Sequence, residues 1–221
     1  MIRIICGFLF LCVLFCNVAA NADVKYTFEE IKDNNILLVN LSYRLPYDFE
    51  PENLVVPDVP RPENKAEKKV KLLPEAANAL EKLFQEAANN GYTLYAVSGY
   101  RDYYEQKRLY EDKVASVGEW NARKTVAKPG TSEHQLGLAM DINGNSTLKK
   151  GLTNDFGESP EGVWVMQNAH RFGFIIRYPA DKVDVTGYSW EPWHVRYVGK
   201  DVAADIYSLK ITLEEYHEKG K

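Results

Sequence analysis

The chain has 221 residues, 45% of them hydrophobic and 26% charged, enough apolar material for a sizeable buried core. A disordered tail, a collagen and a coiled coil are excluded. A formal net charge of −4 also argues against a nucleic-acid partner, which would call for a basic face.

The first residues carry an export pattern. Arg3 precedes an apolar stretch from Ile4 to Val18, and Ala20-Asn21-Ala22 closes it with small residues at cleavage-site spacing. Residues 1–22 therefore read as a secretory signal peptide cut after Ala22, with a cut after Ala20 as second choice. The competing reading is an uncleaved membrane anchor, because roughly 17–25 apolar residues span a bilayer. All three cysteines, Cys6, Cys12 and Cys16, fall in this segment. The expected mature protein, residues 23–221, is one exported domain that folds without disulfides, a monomer in the periplasm or at the cell surface.

Asn35 to Leu41 reads as a strand. Pro57 to Lys71 reads as a solvated loop, in which Lys65, Lys68, Lys69 and Lys71 alternate with acids. From Pro74 a helix is predicted. Ala76, Leu80, Leu83, Phe84 and Ala87 share one face, and Gly91 marks the stop. Thr93 to Ser98 is β-rich. Asp102 followed by Glu105 is a capping-box spacing that opens a second helix to about Val114. Ala127 to His134 is a loop, Leu138 to Ile142 a strand, Pro160 to Arg171 a helix ended by Gly173, and Phe174 to Arg177 a strand. His194 to Val198 is a further strand, and Asp201 to about Glu218 one last amphipathic helix. Without regular βαβ spacing or internal repeats, this order predicts an α+β fold with a mainly antiparallel sheet and flanking helices.

Four histidines restrict where chemistry can sit. His134 precedes Asp141 by seven positions across Gly137, and His194 follows Glu191 by three. Two imidazoles and a carboxylate compose a catalytic zinc site that leaves a fourth position open. The same set suits ferrous iron, so ligand type alone leaves the metal undecided. Asp141 is polar on an apolar strand and needs a partner. Glu191 lies where a carboxylate could take a proton from a metal-activated water. The plainer alternative makes His134 a loop cap and His194 a satisfied strand histidine.

Three stretches are more specific. Ser98-Gly-Tyr-Arg101 with the run to Tyr110, Lys128-Pro-Gly-Thr-Ser132-Glu-His134-Gln-Leu-Gly137-Leu-Ala139-Met-Asp141, and Glu191-Pro-Trp-His194-Val-Arg-Tyr-Val-Gly199 together resemble the VanY-type D-alanyl-D-alanine carboxypeptidases. These belong to the LAS metallopeptidase group, which also includes L,D-carboxypeptidases. The Ser-x-His-x-x-Gly-x-Ala-x-Asp and Glu-x-x-His patterns are met without departure, and the likeness runs in order from about Leu37 to Gly199.

The resemblance implies a Hedgehog/DD-peptidase-like zinc fold with core motifs in residues 74–199. His134, Asp141 and His194 would hold one zinc ion, and Glu191 would be the catalytic base. Arg101 would hold substrate negative charge, either the developing oxyanion or the terminal carboxylate, a role that suits a planar permanent cation. Without the motif, a surface salt bridge from Arg101 to Asp102 or Glu105 would be preferred. Gln106 and Ser132 would hydrogen-bond substrate. The implied activity removes a C-terminal D-alanine from peptidoglycan stem peptides. An L,D-carboxypeptidase acting on tetrapeptide stems is the alternative, and a non-catalytic zinc-stabilised wall-binding module is the alternative of another class.

Other features are discounted. Ser146-Thr-Leu-Lys149 matches the Ser-x-x-Lys of penicillin-binding serine enzymes but lacks a Lys-Thr-Gly partner. His170 is expected to be a favourable charge near a helix C-terminus and His217 an exposed tail residue. Tyr188, Trp190, Trp193 and Tyr197 either wall a cleft or pack the core.

Overall fold

The computed structural model describes residues 24–31 and 34–219. The export segment read in residues 1–22, with its three cysteines, lies outside the described residues. Among the described residues no helix is long and apolar enough to cross a membrane. In chain order the elements are β1 (Val24–Lys25), α1 (Phe28–Ile31), β2 (Tyr43–Arg44), α2 (Pro74–Asn89), β3 (Leu94–Ser98), α3 (Tyr103–Val117), α4 (Glu119–Ala122) and β4 (Ala139–Gly144). Then follow α5 (Asp155–Glu158), α6 (Pro160–Asn168), β5 (Phe174–Ile176), α7 (Val183–Thr186), β6 (His194–Tyr197), α8 (Lys200–Leu209) and α9 (Leu213–Lys219).

Four strands carry the site. They lie side by side as β3-β4-β6-β5, each neighbouring pair antiparallel, so the expected α+β architecture holds. Strand alternation sorts their side chains. Met140, Ile142, Val195 and Phe174 join a core closed by Leu80 and Leu83 of α2 and by Trp164 and Val165 of α6. Asp141, His194 and Arg196 point to the opposite face, where Ile175 enters a smaller cluster with Ala203, Ile206 and Leu213 of the last two helices. A one-residue slip of β4 would drive Asp141 into the apolar core, so burial sets the register.

The β3–β4 pairing slips at Val97: Ala96 faces Ile142, but Ser98 faces Asp141. This bulge turns the end of β3 toward Asp141 and starts the segment that carries Arg101. Gly99 follows immediately. A Cβ there would lie 2.5 Å from the Lys71 carbonyl oxygen, so only glycine lets the two backbones pass.

The α2 helix matches its pattern, with Ala76, Leu80, Leu83, Phe84 and Ala87 all buried and Pro74 at its start. Asp102 caps α3 by accepting from the Glu105 N–H (2.6 Å), and that helix continues to Val117 before Gly118 ends it.

Two expectations fail. Asn35 to Leu41 forms no strand. Leu37, Leu38 and Val39 are buried, yet the carbonyls of Asn35 and Leu37 accept from the Arg196 guanidinium (3.0 Å each) rather than from a neighbouring strand. The expected single helix from Asp201 to Glu218 is two. Lys210 takes a left-handed conformation (φ 53°) and closes α8. Thr212 then caps α9, its N–H bonding Glu215 Oε2 (2.7 Å) while its hydroxyl accepts from the Glu215 N–H (3.2 Å), a reciprocal capping box.

Candidate active site

Three elements bring the metal-ligand candidates together. Asp141 sits on the central strand β4, and antiparallel pairing places His194, the first residue of β6, directly opposite it. His134 comes from a 3-10 turn over Glu133–Leu136 that closes on left-handed Gly137 (φ 71°). A Cβ on Gly137 would also meet Leu54 Cδ2 at 2.8 Å, so the return from His134 to Asp141 requires glycine.

One donor atom from each of the three residues lies within 4.8 Å of the others. His134 Nε2 is 3.4 Å from Asp141 Oδ1, and His194 Nδ1 is 3.1 Å from the same oxygen. The outward nitrogens are occupied. His134 Nδ1 lies 2.7 Å from the Gly99 carbonyl, which can only accept, and His194 Nε2 lies 3.4 Å from Glu133 Oε2. His134 thus turns its inner lone pair toward a cation, and His194 turns Nδ1 to the same point, with each outer nitrogen held by an acceptor as expected of metal-binding imidazoles. Two imidazoles and a carboxylate on a small buried triangle fit a zinc ion with an open fourth position.

Burial alone would raise the Asp141 pKa, but contacts with His134 and His194 outweigh it and hold the carboxyl well below its usual range. Burial, with Arg101 nearby, pushes His134 down and keeps it neutral. For His194, burial is outweighed by hydrogen bonds to Asp141 and Glu133, and the ring rises to about 9. A cation binding at Nδ1 therefore displaces a proton.

Behind the triangle lies a charge network that sequence reasoning missed. Glu133 Oε1 accepts from Arg177 Nε and Arg196 Nη1, both at 2.7 Å. Arg177 also forks onto Glu214 of α9 (2.8 and 2.6 Å). Burial would raise the Glu133 pKa, but the two guanidiniums hold it far below the carboxylate range. A signal did exist. Arg177 ends the apolar run Phe174-Ile-Ile and Arg196 interrupts Val195 to Val198, and charges on buried strands need partners.

The site opens on a cavity of about 60 Å³ lined by all seven residues singled out in the sequence, together with Tyr178, Tyr188 and Trp193. Arg101 lies with Nη1 3.2 Å from Ser98 Oγ and 4.0 Å from Asp141 Oδ2, and its Nε is buried without a partner. The alternative salt bridge to Glu105 is not made, since Glu105 pairs with Lys69. Gln106 is the one buried residue of α3. Its amide donates to the Ala127 carbonyl (2.8 Å) and leaves a buried Oε1 unpaired beside the cavity. Ser132 is buried at the cavity wall.

Glu191 is held by its main chain. Its N–H bonds the Tyr178 carbonyl and its carbonyl accepts from the His194 N–H, both at 3.1 Å. Burial, with Asp141 adding to it against His194 and Arg101, lifts its carboxyl to about 7, the range of a general base at neutral pH. Tyr178 was not anticipated. Its buried ring packs between Tyr188 (4.7 Å between centroids) and His194 (5.1 Å).

The remaining candidates stand elsewhere. Ser146 is exposed and bonds Glu161 (2.7 Å) rather than Lys149. His170 stacks on Tyr207 at 3.7 Å, and burial, helped by Arg171, lowers its pKa, so it is not the helix-end charge expected. His217 is half-buried and packs edge-on against Tyr43 rather than standing free. Of the four aromatics, Tyr188 and Trp193 wall the cavity, whereas Trp190 lies over Gly157 and Tyr197 on Phe174.

A family model described as VanY, D-alanyl-D-alanine carboxypeptidase, matches residues 69–200. The protein YodJ of Bacillus subtilis (strain 168) is 48% identical over 189 residues, 86% of this chain and 69% of YodJ. Among solved structures, the LdcB LD-carboxypeptidase superposes with a TM-score of 0.78 at 49% identity, covering 82% of this chain and 85% of that one. A vancomycin-resistance D,D-pentapeptidase VanY in complex with Zn(II) superposes with a TM-score of 0.67 at 36% identity, covering 82% and 98% respectively.

Proposed function

The chain belongs to the VanY family of D-alanyl-D-alanine carboxypeptidases, and from that membership we propose that it trims a terminal D-alanine from peptidoglycan stem peptides with one zinc ion. The observation that carries this reading is the convergence of His134, Asp141, His194, Glu191 and Arg101 on one small cavity.

His134 Nε2, Asp141 and His194 Nδ1 would hold the zinc, which when bound polarises the scissile carbonyl and acidifies a water. Glu191 takes that water's proton and passes it to the leaving amine, a task that suits a carboxyl lifted to about 7. Arg101 offers a buried, unpaired Nε–H to the substrate's negative charge, and Gln106 Oε1 offers an acceptor to a substrate N–H. Ser132 completes the polar wall. The narrow cavity, about 60 Å³, favours a small released residue such as alanine.

Two readings differ in the residue before the cut. The family model favours D-alanine there. The likeness to LdcB, an LD-carboxypeptidase at 49% identity, favours an L-configured centre, as in a tetrapeptide stem. The Arg3 to Ala22 export pattern supports action outside the cytoplasm, at the wall. Incubating residues 23–221, with zinc content measured, with pentapeptide and tetrapeptide muropeptides separates the readings by product mass. Alanine loss from the pentapeptide supports the D,D reading, and loss from the tetrapeptide alone supports the L,D reading. No loss from either by zinc-loaded protein would overturn both and leave a wall-binding module.

A further inference from the structure

We propose that Glu133 is a positioning residue that selects which nitrogen of His194 faces the metal, and that Arg177 and Arg196 hold it for that task. The proposal rests on the zinc reading above.

A neutral imidazole has one N–H and one lone pair, and its neighbours decide which nitrogen carries which. His134 is settled by backbone, since Gly99 presents a carbonyl to Nδ1 at 2.7 Å. His194 has no such carbonyl at its outer nitrogen. What faces Nε2 is Glu133 Oε2 at 3.4 Å, on a side chain wholly removed from solvent. The other oxygen, Oε1, is saturated by two guanidinium N–H groups at 2.7 Å, so Oε2 is left for His194. Nδ1 faces an acceptor too, Asp141 Oδ1 at 3.1 Å, but that oxygen belongs to the donor triangle. A cation bound there displaces the Nδ1 proton, while Glu133 Oε2 keeps the proton on Nε2 and so leaves the lone pair on Nδ1.

The carboxylate is anchored from segments far apart in the chain. Arg196 Nη2 reaches the carbonyls of Asn35 and Leu37, and Arg177 forks onto Glu214 of α9. Those anchors lie outside the matched residues 69–200. The flanking segments thus steady a metal ligand that they never touch.

Glu133→Gln is the discriminating change. If the carbonyl of the substituted side chain stays on the arginines, its amide N–H faces Nε2 and drives the ring proton to Nδ1, which removes the lone pair a metal needs. If it flips, the amide meets two guanidiniums, donor against donor. Zinc affinity measured by chelator competition should fall about 10–100-fold. In the zinc-loaded wild type, ring-nitrogen NMR should show His194 protonated on Nε2, and Glu133→Gln should lose that signal. Glu161→Gln, at a carboxylate that bonds Ser146 and lies outside the cavity lining, is the control: it should leave zinc affinity within about threefold and the Nε2–H signal in place.

Wild-type affinity in a folded Glu133→Gln protein overturns the proposal. So does weakened affinity with the Nε2–H signal retained, which would make Glu133 a purely structural residue. Should the variant not fold, the wild-type spectrum still decides, because coordination of His194 through Nε2 overturns it. A wild-type protein that binds no zinc would instead sink the functional reading beneath it.

Discussion

Arg177→Met tests the buried network in stability. The guanidinium makes three charged hydrogen bonds, at 2.7 Å to Glu133 and at 2.8 and 2.6 Å to Glu214, and its side chain is fully buried. Removing it strands Glu214, whose other partner is the Asn40 amide (3.2 Å), while Glu133 keeps Arg196. Breaking a buried pair from one side costs about 3–5 kcal/mol, a large share of the roughly 5–15 kcal/mol that stabilises a domain. At about 2–4 °C per kcal/mol for a chain of this size, Tm should drop about 6–20 °C when followed by circular dichroism. Removing both partners in Arg177→Met/Glu214→Leu should restore at least half of the loss, because no carboxylate is then left stranded. A single-variant drop of under about 3 °C, or a double variant whose loss is the sum of the singles, would refute the reasoning.

Glu191→Gln should stabilise the metal-free protein, and more so at higher pH. The fold lifts this carboxyl from 4.5 to about 7, so it favours the protonated form, and metal-free wild type loses stability as pH rises across that window. The advantage of the variant should be near zero below pH 4.5 and reach about 3 kcal/mol at pH 8; equal Tm differences at pH 5 and pH 8 would refute it. Gly137→Ala places a side chain at φ 71° and a Cβ 2.8 Å from Leu54 Cδ2. Denaturant unfolding should show a loss of about 2–4 kcal/mol, and a loss below about 0.5 kcal/mol would contradict the steric account.

The legible parts of this protein were local. The apolar face of α2 announced itself because its residues recur at helical spacing, and the seven candidate residues that line the cavity could be singled out because each motif sits within about ten residues of chain. What escaped was non-local. Glu133 stands between two motif residues and reads as filler until Arg177, Arg196 and His194 arrive from other strands. Asn35 to Leu41 has the composition of a strand, but its carbonyls are claimed by Arg196. The break between α8 and α9 was hidden because Thr212 and Glu215 form their capping box inside a continuing apolar pattern. Leu213 and Glu214 gain burial only through the turn that Lys210 makes.

The central claim is that one zinc ion on His134, Asp141 and His194, with Glu191 beside it, releases a terminal D-alanine. Stripping the enzyme of metal, titrating zinc back and following alanine release from a stem pentapeptide and a stem tetrapeptide tests it most directly, with Glu191→Ala carried alongside. The account predicts no release without metal and a rise to a plateau at one equivalent of zinc on at least one substrate. It also predicts a Glu191→Ala protein that takes up the same zinc but turns over about 10²–10⁴-fold more slowly. Release by the metal-free enzyme, or near-normal turnover by zinc-loaded Glu191→Ala, would contradict it.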